Sequence, residues 1–232
     1  MLKVNQLVGF GSGAGGGDNF DGVWAVHSTT TSAKTATHTM PSTVQAGDVG
    51  IFFTGTYAVP TLTNPSAARP WDLAHDGTGQ GNFSYRGLWT RLLTAADASS
   101  VLTETQGASH TSYGMSALCI MRPSIPAASA TPFGGQGDTN TGTVTSETVT
   151  NGSAGHRLYV ACGHSLIDPV IFCTYETLAA AVASFSLDAG NPMVSMKVSV
   201  IPEGDQDGAI TATLTGAVSY GGVSTCGIEV TF

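Results

Sequence analysis

Short apolar runs, each only a few residues long, alternate with turn-forming residues along almost the whole chain. Val, Ile, Thr, Phe and Tyr dominate the runs, while Gly, Pro, Asn and Asp separate them. β-Branched and aromatic side chains suit a pleated, half-buried surface, and closely spaced turn residues leave no room for long elements. Strands are therefore expected at 49–54, 88–93, 101–105, 116–122, 143–150, 157–162, 170–174, 194–200, 209–214 and 225–232. Helical spacing occurs once, in ETLAAAVASF at 176–185. The polar segments HDGTGQGN at 75–82 and PEGDQDG at 202–208 read as exposed turns.

The pattern also repeats. Ala46-Gly47-Asp48 precedes the run VGIFF, and Ala154-Gly155-His156 precedes RLYVA at a shift of 108. Ser112-Tyr113-Gly114, followed by Cys119, returns as Ser219-Tyr220-Gly221, followed by Cys226, at a shift of 107. With only 6 Tyr and 4 Cys in the chain, that shared Tyr-to-Cys register marks an internal duplication. The expected fold is all-β: a jelly-roll-like β-sandwich of two repeated halves, 39–122 and 145–232. A Pro/Gly/Ser-rich linker, 123–144, joins them. Two tandem sandwiches also fit this pattern. One sandwich with a shared core is preferred, because each half alone is short of bulky residues and leaves an open sheet edge.

Residues 1–38 stand apart as an N-terminal arm. Leu2, Val4, Leu7, Val8 and Phe10 alternate loosely and lead into GSGAGGGDN. Glycine loses the most entropy on ordering, so such a segment needs something to hold it, a partner subunit or the chain's own sandwich. These five residues are the candidate assembly contacts.

Composition narrows the function. At 232 residues the chain can bury about 70% of its surface without staples. Only 10% of residues are charged, against about 25% in typical proteins, and 31 Thr and 30 Gly take their place. Net charge is −8, and Lys3, Lys34 and Lys197 are the only lysines. A basic patch for nucleic acid cannot be built easily, and anionic membranes are disfavoured. No run approaches the ~20 apolar residues of a membrane span. The N-terminus lacks a signal-like apolar stretch, so synthesis in the cytoplasm is expected. The four cysteines form no CxxC pair. Cys119, Cys162 and Cys173 sit in strand-like apolar runs, which favours buried, reduced thiols.

Motifs for chemistry are sparse. Gly11, Gly13 and Gly16 satisfy GxGxxG, but no helix start follows to hold a pyrophosphate. GGQGD at 134–138 and DQDG at 205–208 lack the donors of a calcium loop. Cys162 and His164 share a strand face, without the electropositive setting that activates a thiol. No GxSxG, HExxH or close carboxylate pair is present. No catalytic residue, cofactor or metal is therefore expected. One constellation invites a ligand: Trp71, Asp72, His75 and Asp76, with Tyr57 and Tyr85. An aromatic ring beside acids can stack on a sugar and bond its hydroxyls, and equally the tryptophan can plug the end of the sandwich.

The segments MPSTVQAGDVGIFFTG, LWTRLLTAADASSVLTET and SALCIMRP resemble β-sandwich structural proteins of tailed bacteriophages and prophages. The shared features are Val44, Ala46, Gly47 and Asp48 before an apolar strand, then Ala95, Ala96, Asp97, Ala98, Val101 and Thr103. The second half departs from them, with His156 in place of the aspartate and EGDQDG in place of AADA. The resemblance implies a virion protein, a head decoration or tail component. Its partners would be copies of itself and major capsid or tail proteins. The rival expectation is a carbohydrate-binding or host-adhesion module that uses Trp71 on a host-surface glycan.

Overall fold

The computed structural model describes residues 20–31, 35–56, 61–63, 71–78, 85–105, 114–139, 143–149, 156–165, 172–176, 183–189, 193–201, 208–215 and 221–232. Its first eight strands are β1 (Phe20–Thr31), β2 (Thr35–Thr39), β3 (Val49–Thr56), β4 (Thr61–Thr63), β5 (Asp72–Thr78), β6 (Tyr85–Leu92), β7 (Val101–Thr105) and β8 (Gly114–Pro123). The next eight are β9 (Ser129–Thr139), β10 (Thr143–Val149), β11 (His156–Ser165), β12 (Phe172–Glu176), β13 (Ala183–Ala189), β14 (Met193–Ile201), β15 (Gly208–Thr215) and β16 (Gly221–Thr231). Among the described residues a single 3-10 turn, Ala95–Asp97, interrupts them, and there is no α-helix. The protein is an all-β sandwich.

The duplication is explicit in the strand order. The first repeat forms a five-stranded sheet, β1-β8-β3-β6-β5, and a three-stranded sheet, β2-β7-β4. The second forms β9-β16-β11-β14-β13 and β10-β15-β12, so adding eight to each strand number converts one repeat into the other. Neighbouring strands run antiparallel. The order 1-8-3-6 over 2-7-4 is that of a jelly roll, with strand 5 carried to the edge of the larger sheet.

Side-chain alternation along β3 shows how the layers stack. Val49, Ile51 and Phe53 join one buried cluster, with Leu88, Ala117, Cys119 and Met121 of the first repeat and Leu158, Val160, Val198, Cys226, Ile228 and Val230 of the second. Phe52 points the other way and joins Met40, Val44, Trp89, Leu93, Leu102, Leu118 and Ile120, all within the first repeat. Both faces of this sheet are covered, which is why VGIFF is continuously apolar rather than alternating. The two five-stranded sheets therefore face each other, and each carries its three-stranded sheet outside. β5 lies against β9 and β6 against β16, while β1 lies against β13 and β8 against β14. Exchanging the repeats maps each of these pairings onto another, the mark of an approximate twofold interface inside one chain.

Ten strands lie where the sequence places them. β1 and all of β2 but Thr39 fall within the expected arm, and β9 and the start of β10 within the expected linker, so the connection between repeats shortens to Ser124–Ala128. Residues 1–19, with all five candidate arm contacts, lie outside the described residues. The expected helix at 176–185 is corrected at both ends, where Glu176 ends β12 and Ala183 begins β13, while 177–182 lie outside the described residues. Seven residues of β13 pair with β14, and that ladder outweighs the modest helix preference of alanine and leucine. His75–Thr78, expected in a turn, belongs to β5.

The Ala-Gly-Asp motif is a structural pin. Gly47 has φ +89, and a Cβ there would stand 2.6 Å from Pro126 Cα and 2.7 Å from Ala127 N. Only glycine accepts both that torsion and that approach. Arg122 grips Asp48 with a fork, Nε to Oδ1 at 2.9 Å and Nη2 to Oδ2 at 2.7 Å. The Gln45 N–H also donates to Asp48, and Arg122 donates to Thr43 O. In the AADA motif, Asp97 accepts from Thr94 N and Oγ1 and pairs with the buried Arg91 at 3.0 Å.

Candidate functional site

The structure describes the tryptophan constellation in part. Trp71 is half-buried and packs against the inner core of the first repeat, its ring centroid 6.1 Å from that of Phe52. The ring also lies over Gly50, where a Cβ would meet it at 2.9 Å. It fills the space a side chain at Gly50 would have taken. Asp72 is exposed at the start of β5. His75 and Asp76 are placed only as backbone positions on β5, and Tyr85 only as one on β6, with their side chains outside the described residues; Tyr57 lies outside them altogether.

Sequence reasoning missed a different cluster. His38 on β2, Thr54 on β3, Glu104 on β7 and Ser116 on β8 are each fully buried between the two sheets of the first repeat. His38 Nε2 lies 2.8 Å from Ser116 Oγ, and Thr54 Oγ1 donates to Glu104 Oε1 at 2.5 Å. The Ser116 hydroxyl also bonds Glu104, whose Oε2 has no hydrogen-bond partner. The edge of the His38 ring meets Phe52, with centroids 5.3 Å apart. The cluster forms because strand pleating turns all four residues inward, and register then aligns them.

Ser, His and a carboxylate together resemble a nucleophilic triad, but the order differs. The carboxylate bonds the hydroxyl, whereas a triad needs it on the imidazole to fix the tautomer. No member reaches the surface. The chemistry available here is proton holding. Burial pushes the Glu104 carboxyl up from 4.5 to about 7, against the opposing bonds from Thr54 and Ser116. Burial also raises both described thiols, Cys119 to about 12 and Cys226 further still, so neither is a nucleophile. Among the described residues, no group of three His, Cys, Asp or Glu is placed to hold a metal ion.

The raised Glu104 value has a consequence for stability. The folded protein holds this proton more tightly than the unfolded chain does. Its contribution is full below about pH 4.5 and is lost as pH rises to about 7. Wild type should lose up to about 3 kcal/mol across that window, and Glu104→Gln should lose this part of the profile. Urea unfolding of both proteins between pH 4.5 and 8 measures it. Equal slopes in the two proteins would clear Glu104 as the source.

No family model, curated protein or solved structure matches this chain.

Proposed function

We propose that this chain is a non-enzymatic structural subunit of a phage particle, a head decoration or tail component. It acts through contacts with copies of itself and with major capsid or tail proteins. The duplicated jelly-roll strand order carries the reading, since such sandwiches recur in viral shells. The resemblance noted in the sequence points the same way. Its two motifs, Ala-Gly-Asp and AADA, pin turns to strands, as expected of features that accompany a fold rather than a reaction. The outer face of β2-β7-β4 supports it too. Thr35, Thr37, Thr39, Thr61, Thr63 and Thr105 are exposed there, without a charge among them. A neighbour can cover such a face without desolvating ions or freezing lysines. The sugar-binding alternative drew on Trp71, whose ring is engaged with Phe52 and Gly50.

Deleting residues 1–17 tests the assembly role. The truncated protein should keep its β-rich circular dichroism and be missing from purified particles. Normal incorporation would remove the arm from the proposal. Absence of the full-length chain from purified virions, by peptide mass spectrometry, would overturn the virion reading itself.

A further inference from the structure

We propose that Glu104, Ser116 and His38 form a buried proton relay that ties the outer sheet β2-β7-β4 to the inner sheet of the first repeat. Three observations carry it. The groups form an unbroken chain, with Ser116 Oγ bonded to both His38 Nε2 and Glu104. All are fully buried, so water does not compete for their protons. Their elements alternate between sheets: β2 and β7 lie in the outer sheet, β3 and β8 in the inner one.

Two proton arrangements satisfy the same positions. In the first, the Glu104 carboxyl donates to Ser116 Oγ, and the Ser116 hydroxyl donates to His38 Nε2. In the second, His38 Nε2–H donates to Ser116 Oγ, and the Ser116 hydroxyl donates to the Glu104 carboxylate. Passing from the first to the second breaks the carboxyl O–H, re-forms an O–H on serine and makes one N–H. Serine stays neutral, and one proton has crossed from carboxyl to imidazole. Thr54 donates to Glu104 Oε1 in both. Removing the shared proton at higher pH leaves a buried carboxylate without a compensating cation, and the joint between sheets weakens.

Among the described residues on elements packed here, Arg91 on β6 pairs with Asp97, and Arg122 on β8 pairs with Asp48. β3 and β4 contribute no titratable group. β1, which pairs with β8, carries Asp21 and His27, the latter at the register position opposite Leu118, and His38 is the ring hydrogen-bonded to Ser116. The relay also belongs to one repeat only. β15, the counterpart of β7, reads GAITATLT and has no ionisable residue, and the Cys119–Cys226 register places Val223 where the first repeat has Ser116. The second repeat therefore lacks the counterparts of Glu104 and Ser116, although β10 carries Glu147 and β12 carries Glu176, and β15 serves as the internal comparison.

The test uses the full chain with labelled histidine, the His38 ring signals being identified by their loss in His38→Gln. In wild type the ring should show an inflection at the Glu104 titration. Glu104→Gln should abolish it, and Ser116→Ala, which keeps both end groups but cuts the bridge, should abolish it too. Amide exchange on β2 and β7, corrected for intrinsic rate, should rise about tenfold or more from pH 5 to pH 8 in wild type and stay flat in Glu104→Gln, while β15 stays flat in both. A His38 ring that titrates identically in wild type and in either variant overturns the relay. So does an equal pH-dependent rise on β15.

Discussion

Arg122→Ala should lose about 3–5 kcal/mol of stability, because it leaves the Asp48 carboxylate buried without its cation. Asp48 is 1% exposed and keeps only the Gln45 N–H once the guanidinium is gone. Thr43 O loses its donor in the same step. Arg122→Lys should recover part of the loss, since an ammonium restores the charge but not the fork. The second repeat reverses the pair. There the register sets Arg157 on β11 opposite Glu229 on β16. Glu229 is only half-buried, so Glu229→Ala should cost less than about 1 kcal/mol. Urea unfolding of the three variants reads the difference directly. A loss below about 1 kcal/mol for Arg122→Ala would mean that the fork does not hold the Ala-Gly-Asp turn to β8.

The other large effect is expected at Phe53. It is fully buried in the cluster that the two five-stranded sheets share. Phe53→Ala should cost about 3–5 kcal/mol, the lost transfer energy plus a cavity that facing β-sheets cannot close. The same residue also reports on cooperativity. With both repeats built on this core, thermal unfolding should remain one transition that moves as a whole. A near-neutral substitution, or a shift confined to one of two transitions, would show that the repeats do not depend on this face.

Much of the architecture was legible in the residues. Val49–Thr54 or Arg157–Cys162 could hardly be anything but buried strands, and the Tyr113–Cys119 and Tyr220–Cys226 registers announced the duplication. The strands that were missed share a physical cause. β9, SATPFGGQGDT, contains proline and three glycines of low strand preference, yet its place at the sheet edge beside β16 tolerates both. β5 and β13 are likewise edge strands of the two larger sheets, held by a single neighbour. Edge strands bury less and so need less apolar patterning to declare themselves. β4, only three residues long, has too few positions to show alternation.

The candidate site was far less visible. Trp71, chosen from sequence for its company of acids, is packed over Gly50, a relation that only sheet packing creates. His38, Thr54, Glu104 and Ser116 were not singled out, since each alone is an ordinary polar residue in its strand. His38 and Ser116 lie 78 residues apart, and Thr54 and Glu104 lie 50 apart.

By itself, the sequence determined the β class, the two copies of one strand plan and a surface poor in charge. These follow from side-chain preference and periodicity, which are local and additive along the chain. The tertiary structure alone decided that the larger sheets are buried on both faces and that four polar groups meet where no water reaches. Those outcomes depend on register and on which face meets which sheet. A pleated strand offers its two faces equally until a partner covers one of them.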